Sequence, residues 1–546
     1  MKYFTLFFLL IVSMTFNAVA QTNQRHVDLS RFDQVLKRYE QYGLSGAIMV
    51  EKDDKVVYQQ GFGYANDERG YKHDNDTRFD LGSVTKHITA VAILKLEAQG
   101  RLKTSDKIGT YFDKLDDSKA NITITQLLNH TSGLEKDPSY SVVNFSFQLD
   151  TQKILAQTQL EFAPGEQFAY SNLGYFVLGY IIEQVSGQSF RQYIKGAIFD
   201  PLKMYNSRFY QLDQQMNVSQ GYQTQGFDRV AVDNYGFSDI PLWLGGASGV
   251  VSNLGDMHLW FKALFNHKVL DEAGFKKLTT PLGEAAKHRA SYAFGLRVKQ
   301  WYGETLITHN GDTSGHQISF SHFVESGYRF VFYVNNRDRW RKKIIALISD
   351  SLLGKQTVLL PPFNNKVQLT RLPKSEGLEI VERNDHYYIV ATNQQAVFAL
   401  TDSSLTRAKA KKLNTQAQVF ADAFINKDLK VFGERLNLAK HDPKKRMAKI
   451  ELSLHITPIK AKVLATEPWR SNVFQTHVEF IQGQKTQVIR FVWQSKTDKL
   501  MFFASGKSEL VVKLLYPVDE HHFVIFDPKE PDHMMVSVVD GIITVE

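Results

Sequence analysis

The chain reads as an α+β or α/β sandwich, a sheet flanked by helices, followed by an α+β, β-rich accessory region. Three observations predict this. Runs rich in β-formers occur near residues 45–65 and again at 304–336. Between them the chain is mostly helical and loop-like, including Ser83–Gly100 and Asn172–Gly187. A sheet built from both ends of a domain, with helices inserted between, is the arrangement such an order produces. Third, the paired prolines of "LLPPFNN" (Leu359–Asn365) forbid helix and mark a linker, after which β signals dominate.

In order, "GAIMVEKDDKVVYQQGFG" predicts a hairpin around the turn Asp53-Asp54. "LGSVTKHITAVAILKLEAQG" predicts a helix, with Ile88, Val91, Ile93, Leu94 and Leu96 apolar at helical spacing and Gly100 as its stop. "ETLITHNGD" predicts a strand and "HQISFSHFVESGYRFVFYVNN" a hairpin turning at Glu325-Ser326-Gly327. "RWRKKIIALISDSLLG" closes this region as a helix stopped by Gly354. Beyond the linker, "LEIVERNDHYYIVATNQQAVFALT" suggests a small hairpin. "TQAQVFADAFINKDLKVFGERL" is amphipathic, with Val419, Phe420, Ala423 and Phe424 on one face. Three or four strands follow between 449 and 505, and the last forty residues are β-like again.

The 546 residues exceed one typical core, so several domains are expected. Residues 1–20 have a basic start at Lys2, the apolar run "YFTLFFLLIVSMTF" and the small residues Ala18–Ala20, the pattern of a secretory signal peptide. An uncleaved membrane anchor is the alternative, and the membrane would be met only there. The remaining divisions are 21–355 as the main domain, 356–410 as linker and small β region, 411–505 as an α+β accessory domain, and 506–546 as C-terminal strands. With no cysteine, disulfides, thiol chemistry and cysteine-held metals are excluded. A bacterial periplasmic or secreted protein is the expected compartment. The net charge of +8 is mild, fitting a basic protein or attraction to an acidic envelope polymer. No basic stripe interleaved with aromatics suggests nucleic acid.

Chemistry is suggested at three places. Ser83 and Lys86 stand three apart at a helix start, so hydroxyl and amine share a face. A serine hydroxyl needs a neighbour to take its proton, and burial favours the neutral amine that can do so. The backbone N–H of Ser83 at a helix N-terminus can hold a developing oxyanion. The competing reading is a chance Ser-x-x-Lys with the serine as a helix cap. Second, "PGEQFAYSNLGY" places Tyr170 and Asn172 at another helix start: a phenol to relay a proton and a carboxamide to orient a substrate, or an aromatic packing residue and a cap. Third, "THNGD" puts His309 and Gly311 on a strand, where glycine permits close approach of a ligand to backbone.

Taken in this order, the three motifs resemble the serine β-lactamase and penicillin-binding-protein superfamily, in the branch of class C β-lactamases, D-alanyl-D-alanine carboxypeptidases, D-aminopeptidases and related esterases. "ITITQLLNHTSGL" and "GGASGVVSNLGDMHLW" carry the resemblance further, over about residues 29–355. It implies the α+β, β-lactamase/transpeptidase-like fold, an antiparallel sheet flanked by helices plus a helical insertion, and an acyl-serine mechanism. Ser83 would be the nucleophile, and Lys86 would share proton transfer with Tyr170. Asn172 would contact the substrate's acyl amide, and His309 would replace the usual lysine and hydrogen-bond near Tyr170. The N–H groups of Ser83 and of Asp312, just past Gly311, would form the oxyanion hole. His130 and Asp256 fall in segments that look structural. The resemblance implies no metal and no organic cofactor.

The third motif departs from the class C Lys-Thr-Gly. A largely neutral imidazole attracts a carboxylate less than an ammonium does, which turns the expectation from a dedicated β-lactamase towards an esterase or D-amino-acid peptidase. Asp312 brings an anion near a site for negative charge. The partner is then a small-molecule or peptide substrate, cell-wall-derived compounds included. A low-turnover binding or regulatory protein with a working C-terminal module is the alternative. The segment from "TQAQVFADAF" onward resembles nuclear-transport-factor-like domains. Neither a Gly-x-Ser-x-Gly elbow nor a His-Glu-x-x-His zinc motif is present.

Overall fold

The computed structural model describes residues 28–112, 115–137, 147–209, 218–225, 228–232, 245–288, 291–313, 315–336, 340–352 and 359–362, and beyond them the elements named below. The signal-peptide segment 1–20 and the stop residue Gly354 lie outside the described residues. The chain divides into two compact units at Leu360/Pro361.

The first unit is built on one antiparallel sheet of six strands. They are β1 (Gly46–Lys52), β2 (Lys55–Phe62), β3 (Arg297–Trp301), β4 (Glu304–Asp312), β5 (Gln317–Phe323) and β6 (Tyr328–Val334). Their order, β3-β4-β5-β6-β1-β2, joins the two ends of the unit where β1 pairs with β6, from Gly46↔Val334 to Lys52↔Tyr328. The β1–β2 connection has only Asp53 and Asp54 between strands, at φ 49° and 64°. Positive φ at both central residues makes the turn whose twist matches that of the strands, and a short acidic side chain tolerates it. The edge strand β3 was not anticipated: it is short and only partly buried, so its alternation is faint in the sequence.

Every residue of β5 is buried, so both faces of the sheet are covered. Helix α1 (Leu29–Gln41) and helix α5 (Trp340–Leu352) pack on the sheet and meet each other through Tyr39 and Trp340, with rings 5.6 Å apart. Phe320 and His322, on one face of β5, meet α2 (Thr85–Ala98) and α4 (Leu254–Phe265). Phe320 stacks on His87 at 4.6 Å and on Phe261 at 4.4 Å, and His322 lies against Phe265 at 4.2 Å.

Helix α2 is buried on all sides: every residue from Thr85 to Leu94 is buried, and Leu96 with them. An all-round apolar helix belongs in the centre of a large core. It packs against α3 (Asn172–Ser186), itself buried from Leu173 to Ile182. Ser171 caps α3 by accepting from the Gly174 N–H, and Gly187 ends it at φ 70°. These two helices therefore deliver their N-termini to fixed places in the interior.

In the second unit, helix Arg407–Ile425 buries Ala410, Leu413, Ala417, Phe420, Ala421, Ala423 and Phe424, a stripe at helical spacing. It contains the predicted Phe420, Ala423 and Phe424 and extends them towards the helix N-terminus, while Val419 is only half-buried. It lies on a four-stranded antiparallel sheet of Lys460–Arg470, Val473–Gln482, Lys485–Gln494 and Lys499–Ser505. The hairpin Leu378–Arg383/His386–Ala391 forms, but "QQAVFAL" is a helix (Gln394–Leu400), not its continuation. His386–Ala391 then pairs with Val511–Pro517, so that strands from both ends of this unit make one seven-stranded sheet.

Candidate active site

Ser83 sits in a short 3-10 turn, Gly82–Val84, that leads directly into α2. Its hydroxyl caps neither element, which removes the helix-cap alternative. Lys86, one turn on, is completely buried. Its Nζ lies 3.1 Å from Ser83 Oγ and donates to the Ala247 carbonyl at 2.8 Å. Ala247 belongs to the "GGASG" loop, whose Gly246 carbonyl also accepts from Thr89 at 2.8 Å. The loop is thus tied to α2 at two successive residues, and the lysine is fixed at both ends.

Tyr170 comes from the segment that enters α3. Its hydroxyl lies close enough to Ser83 to feel it, and Lys86 Nζ lies 5.0 Å from the centre of its ring. Three residues predicted separately, Ser83, Lys86 and Tyr170, are brought into one cluster. Asn172, at the first position of α3, is adjacent, but its Nδ2–H donates to Asp137 at 2.7 Å.

The third motif is placed by a contact between backbones. A Cβ on Gly311 would lie 2.2 Å from the Leu81 carbonyl and 3.4 Å from the Ser83 nitrogen. One on Gly82, which has φ +50°, would lie 3.2 Å from the Asp312 nitrogen. Glycine at 311 was expected to admit a ligand; it admits the turn that carries Ser83. The end of β4 and that turn lie against each other, which sets the amides of Ser83 and Asp312 side by side.

His309 lies close to Tyr170 and bonds to other groups. Its ring centre is 6.5 Å from that of Tyr170, and its nitrogens bond elsewhere: Nε2 to Tyr292 Oη at 2.9 Å and Nδ1 to the Asn310 carbonyl at 2.8 Å. The feared anion of Asp312 points to Arg341, with Oδ2 2.8 Å from Nη1, and to Gln317.

Electrostatics follow from burial. The Lys86 amine is driven well below the usual lysine range, chiefly because burial penalises the ammonium form. The Tyr170 phenol is pushed up by burial, against the lowering effect of nearby Ser83, and stays protonated at neutral pH. Burial, with nearby Lys86 and Arg297, keeps His309 neutral. A neutral amine beside a serine hydroxyl can accept its proton, a protonated phenol can give one away, and two adjacent amides can hold an oxyanion.

Three wall residues, Tyr175, Tyr292 and Arg297, escaped the sequence reading, and a fourth, His130, fills the structural place expected of it. His130 is fully buried, with ring centres 4.2 Å from Tyr170 and 4.5 Å from Tyr292. Its Nδ1 accepts from the Ser171 N–H at 3.1 Å, which holds the Tyr170–Ser171 backbone. Tyr175 donates to the Leu128 carbonyl at 2.7 Å beneath them, and Lys86 Nζ is 5.6 Å from its ring. Tyr292 and Arg297 precede and open β3, with the guanidinium 5.4 Å from the Tyr292 ring centre. Nothing in the spacing of Tyr292 and Arg297 announces them, because only the β3–β4 pairing brings them to His309. Asp256 is structural: it accepts from Asn206 N–H and Ser207 Oγ–H.

Comparison with known proteins gives a family and a fold. A family profile described as Beta-lactamase matches residues 32–348. Protein flp of Staphylococcus aureus (strain N315) is 28% identical over 345 residues, covering 59% of this chain and 66% of that protein. The putative penicillin-binding protein PbpX of Bacillus subtilis (strain 168) is 30% identical over 268 residues, covering 48% and 66%. The match thus spans just under two thirds of these relatives' length. Among solved structures, the octameric penicillin-binding protein homologue from Pyrococcus abyssi has a TM-score of 0.53 at 20% identity, covering 93% of this chain and 100% of that one. The D-amino acid amidase from Ochrobactrum anthropi SV3 has a TM-score of 0.51 at 21% identity, covering 60% and 97%.

Proposed function

The chain belongs to the β-lactamase family, serine hydrolases of the penicillin-binding-protein fold, and from that premise we propose that it cleaves an ester or amide through an acyl-enzyme on Ser83. One observation carries this reading: a fully buried Lys86 amine 3.1 Å from the Ser83 hydroxyl, with the Tyr170 ring 5.0 Å from the same amine. Neutral Lys86 takes the proton as Ser83 Oγ attacks the substrate carbonyl. The amides of Ser83 and Asp312 receive the oxyanion, and removal of one such donor typically costs about 2.7–4 kcal/mol in the barrier. Tyr170, a phenol at neutral pH, passes a proton to the departing oxygen or nitrogen. Water then enters and the same groups act in reverse to release the acid.

The substrate class we favour is an ester or amide of a D-amino acid, from a cell-wall peptide or a smaller compound. The likeness in fold to a D-amino acid amidase supports it, as does a third motif without the lysine that attracts a β-lactam carboxylate. The reading includes export by the apolar N-terminal segment, which detection of the processed chain outside the cytoplasm would test.

The chemical test is direct. A fluorophosphonate should add its mass to the peptide containing Ser83 and to nothing in Ser83→Ala. Hydrolysis of aryl esters, nitrocefin, and D- and L-amino acid amides then ranks the substrates. Labelling that persists in Ser83→Ala, or equal traces of turnover from wild type and Lys86→Ala, would overturn the reading in favour of a binding protein.

A further inference from the structure

Asp312 lends its backbone N–H to the pair of amides beside Ser83, yet its own side chain is an acid. A carboxylate there opposes any oxyanion that forms nearby. Burial chiefly keeps the Tyr170 phenol protonated, and the Asp312 charge acts in the same direction.

The structure gives that carboxylate two partners. Arg341 Nη1 lies 2.8 Å from Oδ2, and Gln317 Nε2 donates to Oδ1 at 3.2 Å. The same Arg341 Nη1 also reaches the Gly311 carbonyl at 3.4 Å. That carbonyl and the Asp312 N–H belong to one planar trans peptide, so they point in opposite directions. A cation holding the carbonyl therefore aims the N–H the other way and strengthens it as a donor. Arg341 stands in the first turn of α5, the helix that closes the unit, so the orientation is imposed from outside the pocket.

We propose that Arg341 is a positioning residue: it fixes the Gly311–Asp312 peptide at the end of β4 and neutralises the Asp312 carboxylate, leaving the Asp312 amide free to stabilise an oxyanion. The inference rests on the acyl-serine reading above. It names a role for a residue outside the three motifs, and it explains how an acid is tolerated at position 312.

The test uses the full chain and the fastest aryl ester of the panel. Arg341→Met should lower kcat by roughly ten- to a hundredfold, with KM changed less than about threefold. Two readouts separate charge from plain support. Adding Asp312→Asn to Arg341→Met should recover at least half of the loss on a logarithmic scale. Raising the ionic strength should narrow the deficit of Arg341→Met, because the Asp312 side chain is 45% exposed and can be screened. If Arg341→Met does not fold, Arg341→Lys, which keeps the charge, should stay within about tenfold of wild type and be improved further by the same asparagine. Wild-type kcat in Arg341→Met, or a loss that neither asparagine nor salt relieves, overturns the proposal. Fluorophosphonate labelling separates the two levels. Wild type and Arg341→Met labelled on Ser83 at equal rates reject the positioning role alone, whereas an unlabelled wild type rejects both.

Discussion

Tyr292 Oη stands 2.9 Å from His309 Nε2, while His309 Nδ1 stands 2.8 Å from the carbonyl oxygen of Asn310. A carbonyl only accepts, so Nδ1 carries the proton. In the neutral ring Nε2 is then an acceptor, and Tyr292 donates to it. The imidazole of the third motif is engaged at both nitrogens, and burial, with Lys86, Arg297 and His87 nearby, opposes a positive charge there.

His309 should therefore stay neutral, as the Nδ1–H tautomer, well below the ordinary histidine range. Nitrogen-15 NMR of the imidazole between pH 5 and 8 reads this directly. Titration of that ring near pH 6.5 would contradict the assignment.

Lys86→Met should be inactive yet at least as heat-stable as wild type. The folded-state pKa of Lys86 lies below its unfolded value, so at neutral pH the unfolded chain binds a proton that the folded chain does not. That difference opposes folding, and methionine removes it while keeping most of the volume. Acylation should fall by about 10²–10⁴, with the melting midpoint unchanged or raised. A midpoint several degrees lower would assign Lys86 a supporting role.

The same shift predicts the pH profile. Acylation needs the neutral amine, so kcat/KM should rise with pH through an acid limb set by Lys86 and placed well below 10.5. An acid limb at or above the ordinary lysine range would remove the buried, neutral Lys86 as the base.

Gly311→Ala should reduce kcat by roughly 10²–10³, the cost of a misplaced oxyanion donor. Its Cβ would fall 2.2 Å from the Leu81 carbonyl, so β4 and the Ser83 turn must separate. The strain should lower stability by about 1–3 kcal/mol. Full activity in a folded Gly311→Ala protein would show that the two amides need not be adjacent.

His316 supplies a stability test away from the chemistry. It is fully buried, bonded to the Ser219 carbonyl at 3.0 Å, and burial lowers its pKa to about 4. Between about pH 4 and 6.5 the unfolded chain binds a proton there and the folded chain does not, so stability falls as pH falls, by about 1.4 kcal/mol per unit. Chemical denaturation of His316→Gln across this window should show a slope shallower by that amount. An unaltered slope would mean the ring is protonated in the fold.

Much of the main domain was legible because its signals are local. The two-residue turn at Asp53-Asp54, the β alternation around "HQISFSHF" and the cap-to-stop pattern from Ser171 to Gly187 each lie within one element. Strand β3 and the helix Gln394–Leu400 were missed for the complementary reason: short, half-covered segments take their conformation from their neighbours.

By itself the sequence determined that Ser83 and Lys86 share a turn, since three residues on a helix fix that distance wherever the helix goes. It also determined, through three motifs in order, the family to which the chain belongs. The partners across the chain were decided only by tertiary structure. Tyr170 reaches Ser83 because two buried helices cross, Gly311 meets Leu81 because β4 ends there, and His309 turns to Tyr292 because β3 pairs with β4. Contacts between residues so far apart in the chain depend on how whole elements pack, and no local spacing encodes that packing.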